Sequence, residues 1–250
     1  MQKEIIIKTH DDKDIYGSLV KSQKKSNKLI IFVHGFTGTK DEHIFFNGAE
    51  FFSSKGFDTY RFNLYAGEGK NIRHFHDTKI SLHGKDITTV SEYFRKDYNK
   101  IYIVGHSYGG TSLLFVDQAV ADGFIFWDAS YIDPKKDSTE DMKYNNDLGK
   151  YILDYGIEIL VGKAFVDELK SFPDCGELIK KIHKPVLLIT AGRKGNSKAG
   201  IKYYEFANNP KELINIETAD HNFNDLNDEK ILFKRTYDWL SNLLGELDSL

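Results

Sequence analysis

Short runs of apolar residues recur along the chain, separated by segments in which apolar residues lie three or four positions apart. The run Leu29-Ile30-Ile31-Phe32-Val33 is nearly continuous, as is typical of a strand buried on both faces of a parallel sheet. Ile87, Val90 and Phe94 have helical spacing instead. The first pattern predicts strands at 29–33, 59–64, 101–104, 124–127, 185–190 and 213–217. The second predicts helices at 44–52, 81–94, 111–121, 199–207 and 228–244.

Two segments depart from this alternation. Residues 5–9 and 15–20 flank a turn-forming run of polar residues, which predicts an antiparallel hairpin at the N-terminus. A stretch at about 131–182 is far longer than an ordinary connection, and helix-like pieces near 151–161 and 163–169 predict a small helical cap. The chain is therefore predicted to be one α/β domain, 1–250, with a mostly parallel, doubly wound sheet and this cap over the carboxyl ends of its strands.

One short motif lies where a strand is followed by a helix. Residues 105–109 read Gly-His-Ser-Tyr-Gly, directly after the strand 101–104. This is the nucleophile-elbow pattern in its required context, because the sharp turn strains the serine backbone and leaves room only for glycine two residues away on either side. Ser107 is therefore the candidate nucleophile. The amide of Tyr108, at the start of the helix, is a candidate oxyanion donor.

With this motif the chain resembles the α/β-hydrolase family over essentially its full length. Residues 34–38 read His-Gly-Phe-Thr-Gly and look like the family's oxyanion loop, which implies a second donor in the amide of Phe36. His34 would shape that loop without transferring a proton. Together with Lys-Asp-Glu at 40–42, the loop looks most like the cinnamoyl (feruloyl) esterase and monoacylglycerol-lipase-like branch. The resemblance places the catalytic histidine after the last strand, at His221.

The acid of the triad departs from the family's pattern. Most relatives carry an aspartate shortly after a glycine at the end of the penultimate strand, but residues 189–197 contain no carboxylate, and Asn196 lies near that position. Asp128 ends the strand 124–127, where a minority of the superfamily places its acid. We favour Asp128, because a triad needs an anion beside its base. Asn196 in a degenerate site is the alternative, and capping a helix is the competing role of Asp128.

Composition argues against several other classes of protein. The 34 basic and 37 acidic residues give a net charge of −3, so a basic footprint for nucleic acid is absent. Cys175 is the only cysteine; it cannot form an internal disulfide and is interpreted as an inert thiol. The start of the chain is too short and charged for a signal peptide, and no apolar run approaches the length of a membrane span. A cytoplasmic protein without a membrane partner is expected.

Three further groups of residues have either a functional or a structural interpretation. Neighbouring histidines and an aspartate lack a metal-binding pattern, so no metal is expected at His74, His76, Asp77 and His83. Gly67 and Gly69 fit a turn and lack the third glycine of a dinucleotide fingerprint. Aromatic residues of the cap either line an acyl or aryl pocket or pack the cap onto the sheet: Tyr131, Tyr144, Tyr151, Tyr155 and Phe165.

These features predict a serine hydrolase that cleaves a carboxylic ester of a small acyl or aryl substrate through an acyl-enzyme on Ser107, without a cofactor. Cleavage of a thioester, an amide or a C–C bond by the same triad is an alternative, because fold and triad do not separate these reactions. A non-catalytic binding protein is another, supported by the missing acid after Gly192. Dehalogenases and epoxide hydrolases need an aspartate nucleophile, so Ser107 argues against them.

Overall fold

The computed structural model describes residues 2–66 and 69–248, so Gly67, expected in a turn, lies outside the described residues. The strands in this part of the chain are β1 (Gln2–Lys8), β2 (Asp14–Val20), β3 (Lys28–Val33), β4 (Asp58–Phe62), β5 (Lys100–His106), β6 (Gly123–Trp127), β7 (Met142–Asn145), β8 (Lys150–Asp154), β9 (Glu158–Val161), β10 (Val186–Ala191) and β11 (Lys211–Ile216). The helices are α1 (His43–Ser54), α2 (Ile80–Arg95), α3 (Tyr108–Leu113), α4 (Lys163–Lys170), α5 (Cys175–Ile179), α6 (Ser197–Phe206) and α7 (Leu226–Asp248).

Eight strands form the central sheet in the order β1-β2-β4-β3-β5-β6-β10-β11. The pairs β1–β2 and β2–β4 are antiparallel, which confirms the predicted N-terminal hairpin, and the other pairs are parallel. The chain passes from β3 to β4 on one side and then returns to β5 on the other side of β3. Such a switch of direction opens a crevice at the carboxyl ends of the two central strands, where α/β proteins bind ligands.

Both faces of the sheet are covered, as the continuous apolar runs predict. Along β3, Leu29, Ile31 and Val33 pack on one side, and Ile30 and Phe32 pack on the other. Buried side chains of α2, α3 and α6 belong to the first layer, and those of α1 and α7 belong to the second. None of the helices formed by residues 2–66 and 69–248 is both long enough and apolar enough to cross a membrane.

Two local predictions are wrong for the same physical reason. The helix predicted over 111–121 ends at Leu113, and the carboxylate of Asp117 instead accepts the amide of Ala119 at a short 3₁₀ turn. The helix predicted to begin at residue 228 begins at Leu226, and the amide of Asn227 in its first turn donates to the carboxylate of Asp225, just before the helix. In both places an aspartate side chain binds the backbone amide two residues further along the chain.

The cap differs from the predicted helical insertion. Residues 151–161 are not helical: β7, β8 and β9 form a three-stranded antiparallel sheet, and Gly156 adopts a positive φ of 80° in the turn between β8 and β9. In β9 exposed and buried side chains alternate, a period-two pattern that favours a strand once it is recognised. The helix predicted at 163–169 is present as α4. The cap is therefore part sheet and part helix.

Candidate active site

Ser107 lies between β5 and α3, at the carboxyl edge of the sheet. Its backbone has φ 54° and ψ −120°, a conformation that residues other than glycine rarely adopt. The turn is so tight that a Cβ atom added to Gly105 would lie 2.7 Å from the backbone of Gly109. The predicted elbow is therefore present, and Ser107 lines a cavity.

His221 follows β11 in a short loop and reaches the serine from the C-terminal part of the chain. Its Nε2 lies 2.9 Å from Ser107 Oγ. The loop is tied down by His106, whose Nε2–H donates to the carbonyl of His221 over 2.8 Å. Burial lowers the pKa of His106 to about 4, so this ring is neutral and serves as a fixed donor. We did not predict this role of His106, because no motif distinguishes it from a core residue.

Asp128 completes a chain of hydrogen bonds with these two side chains. It is fully buried directly after β6, and its Oδ2 lies 2.5 Å from His221 Nδ1. Backbone amides supply the remaining donors: Ala191 N lies 2.9 Å from Oδ1, and Asn196 N lies 2.9 and 3.0 Å from the two oxygens. The carboxylate is thus directed at the imidazole by the end of β10 and the loop that follows it.

Asn196, the alternative acid position, lies beside this contact. Its side-chain amide donates to the carbonyl of Asp128 over 2.9 Å, whereas its Nδ2 is 3.5 Å from His221 Nδ1. An Nδ1 that carries a proton for Asp128 cannot accept a second one from an amide nitrogen. Asn196 therefore anchors Asp128 through both its backbone and its side chain, and the carboxylate is the group that meets the imidazole.

The two predicted oxyanion donors line the same cavity as Ser107. Within the described residues, the backbone amides of Phe36 and Tyr108 donate no hydrogen bond to the protein, so both are available to a ligand. His34 fixes the loop before Phe36: its Nδ1–H donates to the carbonyl of Gly35, and its Nε2 accepts the amide of Leu64. Burial lowers the pKa of His34 to about 4, and both nitrogens are occupied, as the expected structural role requires.

The cavity measures about 400 Å³ and is open to solvent. The cap contributes apolar side chains to its lining, as do helices α2 and α3 and the loop after β3: Phe36, Ile80, Tyr108, Ile132, Met142, Tyr155, Phe165 and Leu169. Of the cap aromatics, Tyr155 and Phe165 line the cavity. Tyr131 packs on Tyr203, and Tyr144 packs on Tyr151. Tyr131 thus packs the cap onto the main domain through α6, whereas Tyr144 and Tyr151 pack on each other within the cap.

The remaining candidates lie outside this cavity. His74 and His76 stack against each other on a short turn, and His83 is fully buried beneath Tyr108. Within the described residues, one cluster of three side chains could ligate a metal ion: His10, Asp11 and Asp86. Arg73 already forms ion pairs with both carboxylates of this cluster. Cys175 is buried, and burial raises the pKa of its thiol to about 11, in keeping with an inert thiol.

Solved structures that superpose over nearly the whole chain show its fold. Est1E from Butyrivibrio proteoclasticus, in a structure with bound ferulic acid, is 19% identical with a TM-score of 0.82 over 96% of this chain and 99% of that chain. The chain has the α/β-hydrolase fold. The esterase domain of a Rhodothermus marinus protein is 17% identical with a TM-score of 0.74, over 96% of this chain and 97% of that chain.

Sequence comparison of this α/β-hydrolase-fold chain adds a family match. The family model described as "Putative serine esterase (DUF676)" matches residues 23–122, which include the predicted oxyanion loop and Ser107. The alpha/beta hydrolase GrgF from Penicillium sp. sh18 is 16% identical with a TM-score of 0.75, over 97% of this chain and 98% of that chain. No curated protein matches the sequence.

Proposed function

We propose that the chain is a serine hydrolase that cleaves carboxylic esters of small acyl or aryl substrates through an acyl-enzyme on Ser107. One observation carries this proposal: Asp128, His221 and Ser107 form an unbroken hydrogen-bonded series, with contacts of 2.5 and 2.9 Å, at the lip of a cavity. A buried carboxylate, an imidazole and a serine hydroxyl in that order are the parts needed for nucleophilic catalysis.

In acylation, Ser107 Oγ forms a bond to the ester carbonyl carbon while its proton moves to His221 Nε2. The carbonyl π electrons move to the oxygen, where the amides of Phe36 and Tyr108 stabilise the negative charge. Asp128 holds the Nδ1 proton and stabilises the imidazolium. The C–O bond to the alcohol then breaks, and the leaving oxygen takes the proton from Nε2.

Deacylation repeats these steps with water as the nucleophile. His221 Nε2 removes a proton from the water, whose oxygen bonds to the acyl carbon, and the same two amides bind the new oxyanion. When this intermediate collapses, Ser107 Oγ leaves with the proton from His221. The proton that leaves with the alcohol is replaced by one from the water, so the proposed steps use only these side chains and water, without a metal or cofactor.

The cavity supports an acyl group of modest size. Its walls are mostly aliphatic and aromatic, with Phe36, Tyr108 and Phe165 mutually packed at centroid distances of about 6 Å. Such a surface suits a short alkyl chain or an aryl group. The similar Est1E structure contains ferulic acid, which is an aryl acid, and this supports the aryl alternative for the present chain.

The test combines hydrolysis with covalent labelling. Purified protein should hydrolyse p-nitrophenyl acetate and butyrate and should react with a fluorophosphonate probe at one residue. Ser107→Ala should abolish both without altering the circular dichroism spectrum, whereas Ser138→Ala, at another serine lining the cavity, should retain both. If the wild-type chain is inert towards esters, thioesters and amides and is not labelled, it is a binding protein and the proposal fails.

A further inference from the structure

A second serine lies next to the candidate nucleophile. Ser130 follows Asp128 by two residues, and its backbone is fixed on both sides. Its amide donates to the carbonyl of Ser107 over 3.1 Å. Its carbonyl accepts the hydroxyls of Thr111 at 2.7 Å and Tyr203 at 2.6 Å. Tyr203 is fully buried, so this anchor belongs to the core of the protein.

The hydroxyl of Ser130 faces the reacting atoms. Its Oγ lies 3.3 Å from Ser107 Oγ and lines the same cavity. Within residues 2–66 and 69–248, this is the one hydrogen bond that the Ser130 hydroxyl makes. The backbone contacts fix the direction of the Ser130 Cα–Cβ bond, and the contact with Ser107 orients the hydroxyl.

The positions of the protons determine which serine donates the hydrogen bond between Ser107 and Ser130. The Asp128 carboxylate accepts from two backbone amides and from His221 Nδ1, so His221 carries its proton on Nδ1 and offers a lone pair at Nε2. Ser107 must therefore give its only proton to Nε2, 2.9 Å away. Towards Ser130, Ser107 Oγ can only accept. The Ser130 hydroxyl is consequently the donor.

We propose that Ser130 is a fourth catalytic residue, whose hydroxyl donates a hydrogen bond to Ser107 Oγ as that oxygen loses its proton to His221. This inference rests on the proposed function and adds a residue to it. Ser130 keeps its own proton throughout. Negative charge that develops on Ser107 Oγ strengthens and shortens the 3.3 Å contact, because hydrogen bonds to ionised acceptors are shorter and stronger than neutral ones.

The same donor acts in the second half of the reaction. When the deacylation intermediate collapses, the bond between the acyl carbon and Ser107 Oγ breaks, and the electron pair stays on that oxygen until it takes the proton from His221. A hydrogen bond from Ser130 stabilises this charge as well. Loss of the hydroxyl should therefore slow both half-reactions and leave ground-state binding largely unchanged, which is the signature of an interaction made in the transition state.

The experiment measures how fast Ser107 reacts, apart from turnover. In fluorophosphonate labelling, the Ser107 Oγ–P bond forms, fluoride leaves, and the proton passes to His221. Ser130→Ala should lower both the labelling rate constant and kcat for p-nitrophenyl butyrate about tenfold, the loss of rate expected when one hydrogen bond is removed. KM should change less than about twofold. Ser130→Thr keeps the hydroxyl and should recover most of the rate. Ser54→Ala, at an exposed serine of α1 that does not line the cavity, is the matched control.

The outcomes separate this inference from the proposed function. Wild-type protein that neither labels nor hydrolyses esters contradicts the proposed function itself. If the wild type reacts and Ser130→Ala reacts equally fast, only the role of Ser130 is overturned. If Ser130→Thr is as slow as Ser130→Ala while both melt within a few degrees of the wild type, the hydroxyl is not responsible, and the inference is again overturned.

Discussion

At the scale of single residues, the site depends on how a carboxylate is held at the end of β6. Asp128 has a positive φ of 42°, and the amides of Ala191 and Asn196 converge on its oxygens. A Cβ atom added to Gly195 would lie 2.6 Å from Asp128 Oδ2, so only glycine leaves room there for the carboxylate. The loop after β10 thus supplies backbone donors to an acid from β6, and it does not supply the acid itself.

Replacing Asp128 by asparagine should lower kcat/KM for p-nitrophenyl butyrate by about four orders of magnitude. An amide cannot stabilise the imidazolium, and it favours the His221 tautomer whose Nε2 cannot accept the Ser107 proton. Asp220→Asn is the matched control, because Asp220 is adjacent to His221 in sequence but its carboxylate binds the amides of Asn222 and Asn224. It should lose less than about tenfold. Comparable losses in the two variants would remove Asp128 from the relay.

The sequence allows a site residue to be predicted where a motif or its position in the fold identifies it. Ser107 and His221 belong to recurring segments, and Asp128 follows from the need for an anion near the imidazole. Ser130 and His106 belong to no such pattern. Their contacts with Ser107, Tyr203 and His221 join residues that are up to 115 positions apart in the chain, and only the folded structure shows them.

At the scale of elements, the cap is where prediction from sequence was weakest. Its strands have four or five residues each, and an apolar run of that length fits a helix turn as well as a strand. The turn at Gly156 decides the matter, because it pairs Asp154 with Glu158 and fixes the register of β8 and β9. That turn places Tyr155 over the cavity, with its ring 6.0 Å from that of Phe36.

Tyr155→Ala should raise KM for aryl and butyryl esters about two- to tenfold, the effect of losing one aromatic contact, and change kcat little. Tyr155 is 68% exposed, so the melting temperature should shift by no more than about 2 °C. Ile157→Ala provides the control: Ile157 is 69% exposed in the same turn but does not line the cavity. Equal changes of KM in both variants would mean that the turn acts through its stability and not through contact with substrate.

At the scale of the whole molecule, the parallel sheet was the most predictable part. Buried parallel strands are nearly all apolar, and α1, α2, α6 and α7 were each predicted within a few residues of their ends. The order of the strands was harder to predict from the sequence, because it depends on which way the chain turns after β4. The position of the site at the switch between β3 and β5 follows from that order.

Three histidines are buried in the core that residues 2–66 and 69–248 form. Burial lowers the pKa of His34 and His106 to about 4 and that of His83 well below its ordinary value. His34 and Arg73 lower the pKa of His83 further by repulsion. All three rings are therefore neutral in the folded protein at pH 5, whereas in the unfolded chain they take up protons below about pH 6.5.

This difference makes the fold sensitive to mild acid. Because only the unfolded chain gains these protons, the stabilisation is complete above about pH 6.5 and declines as the pH falls towards 4, by about 2 kcal/mol for each buried histidine at pH 5. His83→Leu removes one of the three, so its melting temperature should fall less between pH 7 and pH 5 than that of the wild type. His74→Leu, at an exposed histidine, controls for the loss of a histidine as such. A His83→Leu protein that loses as many degrees as the wild type over this interval would show that the buried ring does not couple folding to protons.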